Sequence, residues 1–202
     1  MTQSNFRQAI IDYIRAEAKP PDKFSHQPRL FALACQLASE QAFDEDVVFA
    51  AAWLHDLGVF IGHRPEDLKA LAAWDSVAYA LARAPALLQQ FQFPAAKIPA
   101  VVEAIRTHLP SENPTAFEGV LLRDADILEQ LGAVGIMRAF SKVGRDTRFV
   151  VFGDVLRVLH RNAQELPGRL QLESARALSA PRLKVLNDFL EAAAVEEAGD
   201  YS

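Results

Sequence analysis

Four side chains have the types and positions needed to hold a metal ion: His26, the adjacent pair His55-Asp56, and Asp124. Each stands where the local pattern asks for an apolar residue. Around Asp124 the helical stripe reads Phe117, Val120, Leu121, Asp124, Leu128, Leu131. A carboxylate buried on such a stripe is costly unless a cation or several donors meet it. The neighbouring Arg123 points about 100° away around an ideal helix, which makes it a poor partner and leaves the charge to be neutralised by something else. His26 begins a second stripe with Leu30, Leu33 and Leu37, and Pro28 places it at a helix entrance, where its ring can face a cavity. His108 continues a third, Ile98, Val101, Ile105. A lone histidine on an apolar face is ordinarily a satisfied core residue; two of them together with a buried aspartate form a pattern. His55-Asp56 ends the run Val47 to Leu54, which is apolar all round and therefore buried. His55 suits the negative end of that helix, whereas Asp56 is repelled there, so it too calls for a cation. A local cap of exposed residues before Gly58 is the plain alternative for this dipeptide.

Two imidazoles and two carboxylates make a mixed nitrogen and oxygen donor set. It suits Mn, Fe, Ni, Co or Zn better than the all-oxygen cages of Mg or Ca. One cysteine, Cys35, excludes both an internal disulfide and a cysteine-rich zinc site. Its apolar surroundings, Leu30 to Ala34, predict a buried packing role. Four protein ligands on a six-coordinate ion leave two positions for water, which becomes a nucleophile at neutral pH.

Helical periodicity dominates the segments that must position these residues, and no run of alternating strands stands out. Helices are expected near 4–18, 26–41, 45–57, 66–83, 95–109, 116–131, 133–143, 149–165 and 181–197. Pro20-Pro21, Gly58 and Pro110 stop the first, third and fifth. Asp44, Glu45 and Asp46 favour a helix start, and Thr115 with Glu118 spells a capping box. The tail from Glu191 is expected to fray, and Arg145 to Arg148 to form a polar connection. With 202 residues, half of them apolar, the chain is long enough for one sizeable core. It reads as one domain, 1–202, with the metal-site core at about 22–143 and C-terminal helices at about 149–197. A net charge of −5 without a basic run argues against a nucleic-acid polymer as partner. No signal peptide or membrane-length apolar run is seen, which predicts a cytoplasmic protein without a membrane partner. A homodimer stays open.

The order His26, His55-Asp56, Asp124 resembles the signature of the HD superfamily of metal-dependent phosphohydrolases. His26-x-x-Arg29 followed by Leu-Phe-Ala-Leu-Ala, Ala51-Ala52-Trp53-Leu54-His55-Asp56-Leu57, and Leu122 to Glu129 carry the likeness. Leu131-Gly132-Ala133-Val134-Gly135-Ile136, Phe93-Pro94-x-x-Lys97-Ile98 and His108 are similar to a small, stand-alone bacterial subgroup. The resemblance spans roughly residues 22–143. It implies an all-α helical bundle and one divalent metal ion (Mn, Fe, Ni, Co, Zn or Mg) held by His26, His55, Asp56 and Asp124. The implied chemistry is hydrolysis of a phosphate ester of a small molecule, nucleotides among the candidates. Asp56 doubles as a catalytic residue, and Arg29, Arg64 and His108 are the substrate-binding candidates. Asp126, off the Asp124 face, is assigned an outer role, and His63 lies beside Arg64 in a loop after the His-Asp pair. The residues after Asp56, Leu-Gly-Val-Phe, lack the acidic pair of the guanosine tetraphosphate hydrolase branch, and no Gly-Tyr-Pro motif of the cyclic-di-GMP phosphodiesterases occurs. The competing readings are a non-catalytic metal-binding regulatory module and a di-iron oxygenase on the same scaffold.

Overall fold

The computed structural model describes residues 6–145 and 149–197. Among them are ten α-helices and no strand; the all-helical class agrees with the periodicity, which predicts nine helices. Close packing divides the chain into two compact units, 1–125 and 126–202.

The first unit holds α1 (Phe6–Glu17), α2 (His26–Ala38), α3 (Glu45–Leu54), α4 (Leu68–Ala72), α5 (Ser76–Gln90), α6 (Ile98–Arg106) and most of α7 (Phe117–Glu129). Its centre is α3, whose residues Val47 to Leu54 are all buried. α2, α6 and α1 pack around it. Asp44 caps α3, its carboxylate accepting the amides of Asp46 and Val47 at 3.1 and 3.3 Å. Glu118 accepts the Asp44 amide at 2.9 Å, a bond across elements that tethers this cap to α7. Arg7 pairs with Glu45 and Asp46, and Lys97 with Asp44 and Asp46. Burial alone would raise the Asp46 carboxyl, but the hydrogen bonds from Arg7 and Lys97 prevail and hold it below its ordinary range. In the second unit α10 (Glu173–Glu197) packs on α8 (Gly132–Phe140) and α9 (Phe152–Glu165).

Several boundaries differ from expectation. The segment 66–83 is two helices, because the carboxylates of Asp67 and Asp75 each cap a new start, accepting the amides of Ala70 and Ala78. α10 begins at Glu173 rather than 181 and runs through Pro181. An interior proline costs about 3 kcal/mol, which burial of Ala175, Leu186 and Leu190 helps offset. The same helix carries the tail on to Glu197; residues 198–202 lie outside the described residues, as do 146–148 of the polar connection. Cys35 is half-buried, and burial pushes its thiol up. α3 stops at Leu54, three residues early. No described helix is long and apolar enough to cross a membrane.

Candidate metal centre

The early end of α3 builds the site. His55 is its C-cap, the backbone N–H still donating to Ala51. Asp56 has left the helix, with φ −94° and ψ 13°. That is the sparsely populated bridge region, common among active-site residues. The chain then tightens into a 3₁₀ turn, Leu57–Val59. Asp56 therefore stands one residue past the C-cap, still at the negative end of α3 and next to His55, where a cation favours it. His26 is the first residue of α2, as Pro28 suggests.

His26, His55 and Asp56 converge, each offering a ligand atom within 4.8 Å of the others. The Asp56 carboxylate stands between the two imidazoles: Oδ2 is 3.8 Å from His26 Nε2, and Oδ1 is 3.5 Å from His55 Nε2. The histidine side chains are buried, while Asp56 is 21% exposed, so the cluster reaches solvent on the carboxylate side. His55 Nδ1 lies 3.0 Å from the Ala52 carbonyl. A carbonyl can only accept, so Nδ1 carries a proton, and in the neutral ring Nε2 turns its lone pair toward Asp56. A backbone carbonyl on the far nitrogen fixes the tautomer and orientation of a metal-binding histidine. A lone pair facing a carboxylate is repulsive until a proton or a cation comes between them, so the donor set fits a divalent ion.

His108 is buried against this group. Its ring centroid is 5.0 Å from that of His55, which is 5.3 Å from that of His26. Its Nδ1–H donates to the Ile105 carbonyl at 2.6 Å. Arg29 and Arg64 are half-buried, Arg29 in the first turn of α2 and Arg64 in the loop beyond the 3₁₀ turn.

Asp124 is fully buried in α7, as its stripe predicts. The expectation that Arg123 is a poor partner is overturned: its Nη1 lies 3.2 Å from Asp124 Oδ1, and its Nη2 donates to the Pro110 carbonyl at 3.2 Å. The two Cβ directions diverge on the helix, but a long arginine stem can wrap through that angle and bury its own head. Arg123 is 3% exposed. Its signal in the sequence is a charge that follows Val120-Leu121-Leu122 directly and adjoins Asp124. Asp126 turns to Gln130, whose amide nitrogen donates to it at 3.2 Å.

No family model and no curated protein sequence matches the chain. Its fold matches solved structures over nearly full length. A predicted HD superfamily hydrolase from an uncultured Thermotogales bacterium is 26% identical, with a TM-score of 0.63, covering 95% of this chain and 92% of its own. An HD-superfamily hydrolase from Bacillus thuringiensis is 18% identical at a TM-score of 0.67, covering 96% and 97%. YpgQ of Bacillus subtilis, solved in complex with ADP, is 21% identical at 0.68, covering 96% and 98%. With the site at the end of α3 and the ten-helix architecture both in hand, the chain has the fold of the HD-superfamily hydrolases it matches.

Proposed function

We propose that this chain is a metal-dependent phosphohydrolase of the cytoplasm, read as one HD-type domain over residues 1–202. In this reading His26, His55, Asp56 and Asp124 hold one divalent ion. Its substrate is the phosphate ester of a small molecule, with a nucleotide the first candidate. The observation that carries the reading is the carboxylate of Asp56 set between two imidazole Nε2 atoms, one of them oriented by a backbone carbonyl. An ion bound there supplies Lewis acidity and an activated water. The chain's own residues do the rest. Asp56, the exposed member, faces incoming substrate and can take up the proton released by water. Arg29 and Arg64 balance the phosphoryl charge, and His108, packed against His55, is a further substrate contact. The nucleotide preference draws on the ADP complex of YpgQ.

The test is turnover of p-nitrophenyl phosphate and of nucleoside mono-, di- and triphosphates by chelated protein with added Mn²⁺, Ni²⁺ or Co²⁺. Hydrolysis that vanishes with chelator and returns with metal is expected. Metal uptake without turnover of any of these esters would favour the regulatory-module reading instead. Arg64→Ala and His108→Ala are expected to slow hydrolysis about 10- to 100-fold, a few kcal/mol of lost charge stabilisation, with metal content nearly unchanged. Loss of metal in His108→Ala, read by elemental analysis, would make it a ligand; unchanged kinetics in both would remove them from the site.

A further inference from the structure

We infer that His63 is a positioning residue for the metal centre, acting on Asp56 through the backbone of the turn that follows it. The inference rests on the reading of His26, His55 and Asp56 as ligands.

Asp56 lies past the end of α3 and leads into the Leu57–Val59 turn. Its carbonyl accepts the Val59 amide at 3.0 Å, which ties Asp56 directly to the Leu57–Val59 turn, so a shift of the turn carries Asp56 with it. Two side chains grip that turn by its carbonyls. His63 Nδ1–H donates to Leu57 at 2.8 Å, and Trp74 Nε1–H donates to Gly58 at 2.8 Å. The far side of the His63 ring is anchored in turn. Its Nε2 is 2.9 Å from Glu17 Oε2 at the end of α1, and the rings of Phe60 and Tyr79 lie 5.7 and 5.5 Å away. Ile61 N–H donates to the Lys19 carbonyl at 3.1 Å, a second tie to the chain after α1. α5 closes the other side: a Cβ at Gly58 would lie 2.3 Å from the Ser76 carbonyl oxygen, so only glycine lets the turn approach this closely. The turn is thus held from α1, from Trp74 and from α5 at once.

Such support matters because metal–ligand distances tolerate only about 0.2 Å. The alternative for a histidine in a loop beside Arg64 is contact with substrate. Both of its nitrogens are engaged, by a carbonyl and by a carboxylate, which assigns the ring to holding the turn.

Three variants separate the two bonds. His63→Phe keeps the ring packing and loses both. His63→Asn sets an amide donor near the position of Nδ1, toward Leu57; His63→Gln sets one near Nε2, toward Glu17. Two readouts are taken: hydrogen exchange of residues 55–64 in the chelated protein, and the affinity for Mn²⁺ alone by calorimetry. His63→Phe is expected to speed exchange across the segment and weaken Mn²⁺ binding about 10-fold or more, the range for lost outer-shell support. Asn is expected to recover most of both, and Gln little of either. Wild-type Mn²⁺ affinity in the Phe variant, or Gln recovering as well as Asn, would overturn the inference. If the Phe variant does not fold, the comparison of Asn with Gln decides. A wild-type protein that takes up no Mn²⁺ would sink the metal reading, and unchanged exchange in the Phe variant would independently sink the clamp.

Discussion

Asp56→Asn is expected to remove the metal-dependent stability of the protein and reduce hydrolysis to background while leaving the chelated protein folded. The change is nearly isosteric and falls on a residue 21% exposed, so the chelated form should move by less than about 1 kcal/mol. With metal the difference is large. An ion present at 100 times its Kd stabilises the native state by about 2.7 kcal/mol. Asparagine in this place brings no charge to the two imidazoles, and affinity should fall more than about 100-fold, beyond the usual loss for an outer-shell residue. At the same Mn²⁺ concentration the variant then gains under about 0.5 kcal/mol. Paired thermal melts, in chelator and in Mn²⁺, read this directly. A variant whose melting point rises with Mn²⁺ as far as the wild type's would remove Asp56 from the ligand set.

The parts of this fold legible in the sequence are those where one helix face carries a long periodic stripe. The stripe from Phe117 to Leu131 announces α7 and the burial of Asp124, and the all-apolar run from Val47 to Leu54 announces a central α3. His26 is found at the start of α2 for the same local reason, a proline two residues on. What could not be read depends on partners far along the chain. The end of α3 at Leu54 is one case: the turn after Asp56 is held by Glu17 through His63, by Trp74, and by Ser76 against Gly58, and periodicity carries no trace of those contacts. The break between α4 and α5 is another, since Asp67 and Asp75 look like ordinary surface charges until their carboxylates are seen on the amides of Ala70 and Ala78. The convergence of His26 with His55-Asp56 was suggested by residue type and order; the separation of 3.5 to 3.8 Å between imidazole and carboxylate is a property of packing. Arg123 failed for a different reason. Helical angles place Cβ atoms, and a side chain as long as arginine is not bound by them.

Arg123 changes what is expected of Asp124→Ala. Were the carboxylate alone in the core, its removal from the chelated protein would cost little or even stabilise it. With Arg123 4% exposed in its side chain and 3.2 Å away, the alanine variant takes a carboxylate away from a buried guanidinium. Breaking a buried pair from one side typically costs roughly 3–5 kcal/mol, and the chelated variant should be less stable by about that amount. Its remaining bond to the Pro110 carbonyl favours the lower end. The double variant Arg123→Met/Asp124→Ala should recover most of the loss, because two apolar groups replace two charges. Arg123→Met alone separates packing from ligation. In chelator it takes a cation away from a fully buried carboxylate and should be about as unstable as Asp124→Ala. In Mn²⁺ a ligating Asp124 finds a cation again, so the stability gained on adding metal should exceed the wild type's. Urea unfolding of the four proteins, each with chelator and with Mn²⁺, yields both quantities. If Asp124 is a ligand, neither variant lacking it responds to Mn²⁺ as the wild type does, and Arg123→Met responds more. If Arg123→Met is equally unstable with and without Mn²⁺ while Asp124→Ala keeps the wild-type response, Asp124 is the partner of Arg123 and no part of the metal centre.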